Sequence, residues 1–163
     1  MPRVGSRRSD RRWKAPDGEI WPSKFEWEVY DALKQRGVNV RRCDSGDTIT
    51  YHQPRPNVEC LECGSSKCSQ TRTYTPDLHI LRPRGRGGES RGYYIEVKGY
   101  FREEKRRLFR CLRNDRKDID LRCIFASNHW VKKGKTRLSD YFSRYVKNTP
   151  YHFWDGDIPE DWK

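Results

Sequence analysis

Thr75-Pro76-Asp77 and Ile95-Glu96-Val97-Lys98 bracket an interval, 82–92, that is rich in Gly and Arg. Alternation over 74–81 and 93–98 predicts two strands of a hairpin with a long tip. Residues two apart on a strand share a face. Ile95 and Val97 are therefore expected in the core, while Glu96 and Lys98 point together to the other side. Asp77 falls on the neighbouring strand, within cross-strand reach of the same ion. Pro76 brings no N–H, which suits a strand that bends at a site. Mg2+, or Mn2+, takes carboxylate oxygens, water and substrate phosphate, so Asp77 and Glu96 suffice as protein ligands, and the main-chain carbonyl of Val97 is a further oxygen within reach. Such an ion polarises a phosphate and acidifies bound water. Lys98 would orient that water or stabilise the charge developing on phosphorus. Taken alone, the pattern also fits a solvated Glu96–Lys98 pair worth under about 1 kcal/mol.

Upstream, residues 23–36 form the clearest helical pattern, with Ser23 as N-cap, Glu26 three residues later and Gly37 as the stop. Phe25, Val29, Ala32 and Leu33 make its apolar stripe. Glu26 is read either as half of a capping box or as an additional carboxylate that holds a second ion. Segments 38–42 and 48–52 read as short strands, and 53–72 as an insertion. Downstream, 101–114 is a basic helix with Leu108, Phe109 and Leu112 inward, 121–126 a buried strand, and 138–146 a helix. The resulting class is α/β, with a mixed central sheet flanked by helices and a cysteine-containing insertion. The chain divides into a basic N-terminal arm, 1–20, and one domain, 21–163, with the insertion at about 41–72.

The 163 residues carry a net charge of +12, and aromatic residues make up 13% of them. An excess of this size calls for a polyanionic partner, nucleic acid first. The start of the chain has no apolar run and no segment approaches the roughly 20 apolar residues of a membrane span, so an intracellular protein is expected. Arg7, Arg8, Arg11 and Arg12 in the arm, Arg102, Lys105, Arg106 and Arg107 on the basic helix, and Lys132, Lys133 and Lys135 near the end are the candidate DNA contacts. Arg110 and Arg113 share that helix. Trp13, Trp21 and Trp130 are candidates for stacking on unpaired bases, with Trp21 read rather as packing. His79 and His129 fall near the site and are read chiefly as structural.

Six cysteines without a signal peptide point to metal ligation or burial rather than disulfides. Cys60-x2-Cys63-x4-Cys68 has the spacing of the first three ligands of a zinc knuckle. Cys43 supplies the fourth, with His52 as the alternative, giving a tetrahedral structural Zn2+ site. Cys111 and Cys123 are expected as small core residues.

The ordered series resembles a known family, the phage endonuclease I enzymes that resolve Holliday junctions, within the PD-(D/E)xK (restriction-endonuclease-like) nuclease superfamily. Ser23-Lys24-Phe25-Glu26 resembles its first-helix segment, Thr73-Tyr74-Thr75-Pro76-Asp77 its first acidic strand, and Ile95-Glu96-Val97-Lys98-Gly99 the strand with Glu and Lys. Asp118-Ile119-Asp120-Leu121-Arg122, Lys132-Lys133-Gly134-Lys135 and Ile158-Pro159-Glu160-Asp161-Trp162 resemble later segments, so the likeness runs from Ser23 to Trp162. The resemblance implies a homodimer with interwoven subunits that cuts branched DNA, found as a phage protein in the host cytoplasm. Asp77 and Glu96 would then be metal ligands, Lys98 the catalytic lysine and Glu26 the additional carboxylate. The chain departs from the family over 41–72, where the cysteines stand. Two other readings are a site-specific homing, mismatch-nicking or transposition-type endonuclease, and a non-catalytic zinc-stabilised module that binds nucleic acid.

Overall fold

A computed structural model describes residues 12–54, 69–82, 92–131 and 134–162. Arg7, Arg8 and Arg11 of the arm, Cys60, Cys63 and Cys68 of the expected zinc cluster, and Lys132 and Lys133 lie outside the described residues.

The described chain opens with a small hairpin of β1 (Trp13–Lys14) and β2 (Ile20–Trp21), antiparallel. Helix α1 (Lys24–Gln35) follows, and the Ser23 hydroxyl accepts from the Glu26 N–H at 3.2 Å, as an N-cap should. Its end is a Schellman turn: Gly37 takes φ +75°, its N–H bonds the Lys34 carbonyl, and the Val38 N–H bonds that of Leu33. Next come β3 (Val40–Arg42), a 3-10 turn at Ser45–Asp47, and a long antiparallel hairpin of β4 (Ile49–Pro54) and β5 (Ser69–Tyr74), paired from Ile49↔Tyr74 to Pro54↔Ser69. Strands β4 and β5 thus reach into the two ends of the segment expected as an insertion.

Strands β6 (Leu78–Ile80) and β7 (Tyr93–Lys98) pair antiparallel, with Leu78 opposite Ile95 and Ile80 opposite Tyr93. Helix α2 (Glu103–Asp115) crosses over to β8 (Leu121–Phe125), parallel to β7. A hairpin of β9 (Trp130–Val131) and β10 (Thr136–Arg137) precedes α3 (Leu138–Tyr145) and β11 (Tyr151–Phe153), which runs parallel to β8. A 3-10 turn at Glu160–Trp162 closes the described chain. The central sheet has the order β11-β8-β7-β6-β3, five strands in a mixed arrangement with helices on its faces. The α/β class with a mixed sheet is as expected.

Alternation along β7 sorts the core. Tyr93, Ile95 and Val97 join Val29 and Leu33 of α1 in one apolar cluster. The other face, from β8, gives Leu121, Cys123 and Phe125 to a second cluster with Phe109 and Leu112 of α2, Phe142 of α3 and Tyr74 of β5. Each buried Phe or Tyr removes on the order of 150–250 Å² from water, which explains how a chain only 33% hydrophobic closes two clusters. Two expected elements differ in detail. The strand expected at 74–81 divides: Tyr74 ends β5 in the outer hairpin, 75–77 belong to no strand, and only 78–80 enter the central sheet. The basic helix begins at Glu103 because Phe101 turns fully into the core.

Candidate active site

The break at 75–77 makes the site. The ladder between β6 and β7 ends at Leu78↔Ile95. Beyond it, the Asp77 N–H bonds the Ile95 carbonyl at 3.2 Å, and the Asp77 carboxylate, instead of a main-chain carbonyl, accepts the Val97 N–H at 2.8 Å. N–H and C=O groups alternate sides along a strand, so the Val97 carbonyl faces the same edge as that of Ile95. Pro76, the preceding residue, has no N–H to offer a carbonyl at this break. The Cys43 N–H bonds the Asp77 carbonyl at 3.0 Å, which ties this corner to the end of β3.

Lys98 is the last residue of β7, so its side chain clears the sheet and meets both layers. Its ammonium lies 2.9 Å from Asp77 Oδ2, 3.2 Å from Glu96 Oε1 and 3.8 Å from Glu26 Oε1 of α1. The four expected site residues therefore converge on one point. Lys105 Nζ approaches Glu96 Oε1 from α2 at 3.9 Å and sits 5.4 Å above the Tyr74 ring. The Tyr74 hydroxyl donates to Glu96 Oε2. Glu96 is 1% exposed, and its Oε1, although paired with Lys98, makes no hydrogen bond.

The electrostatics follow from three carboxylates held around one buried ammonium. Burial, then the nearby Asp77 charge, pushes Glu96 up to about 8 against the opposing pull of Lys98. The same two causes push Glu26 up to about 7. Burial alone would lower the Lys98 ammonium, but Glu96, Asp77 and Glu26 more than reverse this and hold it well above its usual range. The site is short of positive charge by these measures, and a carboxylate in such a place either takes up a proton or gains a cation. Among the described residues no group of three or more His, Cys, Asp or Glu side chains stands ready to hold a metal ion. The carboxylates are drawn to Lys98 rather than towards one another. The residues nonetheless fit a hard cation: the buried Glu96 Oε1 has no hydrogen-bond donor, Asp77 is fixed from both sides, and the groups that would hold the ion, Asp77, Glu96 and the Val97 carbonyl, offer oxygen.

Other expected residues divide between surface and core. Arg102, Arg107 and Arg110 are exposed and line a groove along α2 with Glu103 and Glu104. Lys135 and Arg12 are exposed too. Arg106, expected to reach phosphate, turns inward instead: it is 8% exposed, donates to the Phe101 carbonyl at 2.8 Å and lies over the Tyr141 ring. Arg113 is likewise taken inside, where it bonds the carbonyls of Ile119 and Asn148. Trp21 is 2% exposed and belongs to the α1 cluster, Trp13 packs beside Trp27, and Trp130 remains exposed.

His79 shares a face with Tyr94, stacked at 4.4 Å, and bonds Arg41, which clamps Asp47 through both nitrogens. It braces the 3-10 turn rather than the Lys98 cluster. Cys43 is half-buried, and burial pushes its thiol up to about 12. His52 bonds Asp115 of α2 through its own N–H and its ring. Cys123 is fully buried, as expected of a core residue, whereas Cys111 is only partly buried and packs at the edge of the α2 cluster. No helix of the described residues is long and apolar enough to cross a membrane.

Tyr74 and the site position of Lys105 were not legible in the sequence. Tyr74 stands three residues before Asp77, on a different sheet, and no spacing rule joins it to Glu96. The signal available was only that a buried tyrosine needs a partner for its hydroxyl. Compared with known proteins, the chain matches no family model, and no curated protein matches it.

Proposed function

We propose that this protein is a Mg2+-dependent endonuclease that hydrolyses DNA phosphodiester bonds, of the restriction-endonuclease-like type, selective for branched DNA and acting as a homodimer. The observation that carries the reading is the convergence of Asp77, Glu96 and Glu26 on Lys98 Nζ, at 2.9, 3.2 and 3.8 Å, beside a bend in the central sheet. A net charge of +12 supports a polyanionic substrate. The resemblance to the phage endonuclease I family supports the choice of branched DNA and of a dimer, whose two-fold symmetry would supply two sites for paired cuts.

A divalent cation, held by Asp77, Glu96 and the Val97 carbonyl with Glu26 as an additional carboxylate, would supply phosphate polarisation and an acidified water. The chain does the rest. Lys98 presents an ammonium to the charge that builds on phosphorus, in a place already dry enough to make that contact strong. Tyr74 holds Glu96 in one orientation, and the Val97 N–H does the same for Asp77. The exposed arginines of α2 would anchor the flanking backbone without reading sequence.

The test is a comparison on one gel. A four-way junction and a linear duplex of the same sequence are incubated with the protein and Mg2+. Faster cutting of the junction, by paired nicks, is expected. Equal rates on the two would remove branch selectivity, and no cutting of either would remove the enzyme reading.

A further inference from the structure

Parallel strands β7 and β8 deliver their following loops to the same edge of the sheet, where ligands of open α/β sheets gather. Two residues after Lys98, Tyr100 stands 59% exposed, the most exposed large hydrophobic side chain among the described residues. Its ring lies on that of His129, with centroids 4.4 Å apart and planes at 26°. His129 is fixed by the fold: its Nε2 accepts the Phe101 N–H at 3.3 Å, and its carbonyl accepts the Leu138 N–H at 3.0 Å. Tyr100 thus has one face backed by an anchored ring. Chain neighbours do not bury it, because Phe101 beside it goes wholly into the core.

Beyond His129, Trp130 is 49% exposed, and the Arg137 guanidinium lies 3.9 Å from its ring centroid. Arg137 is itself held by the Asn128 carbonyl at 3.0 Å. Two stacked pairs of planar groups, Tyr100 on His129 and Arg137 on Trp130, are thus joined through the adjacent residues His129 and Trp130, in a chain with a large positive excess, and Tyr100 stands two residues from the ammonium that would face the phosphate. Aromatic faces interleaved with cations suit a nucleobase whose own backbone phosphate is close by.

We propose that Tyr100, backed by His129, is a stacking platform for an unpaired nucleobase adjoining the scissile phosphate. The identity of the ligand rests on the nuclease reading; the platform itself rests on the exposure and support of the ring. It would give the enzyme a reason to prefer branch points, where bases leave the stack, over continuous duplex.

The experiment uses the full chain with Ca2+ and a single-stranded oligothymidylate carrying one 2-aminopurine, a base whose fluorescence falls when it stacks on an aromatic ring. Binding of wild-type protein should quench the probe. Tyr100→Ala should abolish the quenching and weaken binding about tenfold, the order of one base–aromatic stack. Tyr100→Trp should retain both. Unchanged quenching and affinity in Tyr100→Ala would overturn the proposal. So would a change in oligomeric state by sedimentation with oligonucleotide binding unaltered, which would make the ring a protein contact. Quenching that depends on Tyr100 in a protein that cuts no DNA would uphold the platform and reject the nuclease; cutting without such quenching would do the reverse.

Discussion

The Tyr74 hydroxyl donates a hydrogen bond to the Glu96 carboxylate across two different sheets. Tyr74 is the last residue of β5 in the outer hairpin, whereas Glu96 lies in β7 at the centre of the main sheet. The hairpin therefore does more than cover α2. Through one side chain it fixes the most deeply buried carboxylate of the candidate site. Tyr74→Phe keeps the ring packing on Phe109 and removes only the donor. We expect a loss of stability of about 1–2 kcal/mol, seen in urea unfolding, and a fall in cleavage rate of about tenfold. The hydroxyl favours the ionised form of Glu96, so its loss should also move the pH–rate profile to higher pH.

Lys98 is the ammonium that compensates Asp77, Glu96 and Glu26. Lys98→Ala leaves buried carboxylates without their counter-charge, a change that costs about 3–5 kcal/mol in comparable buried pairs. Thermal unfolding without divalent cations should show a lower Tm than wild type. Addition of Ca2+ should recover more of the loss in the variant than it adds to wild type, because the cation then replaces the missing ammonium. A variant that is destabilised and indifferent to Ca2+ would count against the cation site.

Stability without metal should fall as pH rises. Glu26 and Glu96 are raised to about 7 and about 8 in the folded chain, against a usual carboxylate value near 4.5. Between these limits the folded state holds protons that the unfolded state has released, so folding is favoured at the acid end and the advantage is lost as pH passes 7 and then 8. Unfolding midpoints measured from pH 5 to pH 9 should decline across that window. The slope should be shallower in Glu96→Gln, which cannot ionise. Mg2+ should flatten the decline, since binding to the ionised carboxylates releases their protons.

Arg106 and Arg107 are neighbours in sequence with opposite fates. Arg106 bonds the Phe101 carbonyl inside the fold, and Arg107 is exposed beside Arg102 and Arg110. Arg106→Ala should lower stability by about 1–3 kcal/mol and leave the salt dependence of DNA binding unchanged. Arg107→Ala should do the opposite: unaltered unfolding, weaker binding, and a slope of log K against log salt smaller by about 1. Unfolding curves and binding titrations at several salt concentrations separate the two.

Much of the fold is legible in the sequence where one periodicity dominates. β7 runs over Tyr93–Lys98 as alternation predicts, and α1 starts after Ser23 and stops at Gly37 because cap and stop are written into those residues. What alternation could not separate was Tyr74 from Leu78. Both read as apolar positions of one strand, yet Pro76 and the turn of Asp77 towards β7 assign them to different sheets. β11 is three half-buried residues held by pairing with β8, a contact that has no local signature. The inward turn of Arg106 was equally hidden, because the charge pattern of α2 gives no sign of the carbonyl of Phe101 waiting below. Asp77, Glu96 and Lys98 meet as strand spacing predicts and Glu26 joins them as the resemblance implies, while their partners Tyr74 and Lys105 emerge only when separate elements pack together.

DNA cleavage by the wild type, Asp77→Ala and Lys98→Ala, each assayed on a four-way junction in Mg2+ with folding checked by circular dichroism, tests the catalytic role of the Lys98 cluster most directly. The predicted result is cutting by the wild type and a loss of at least about a hundredfold in each folded variant. Cutting by either folded variant at the wild-type rate would contradict the site described here.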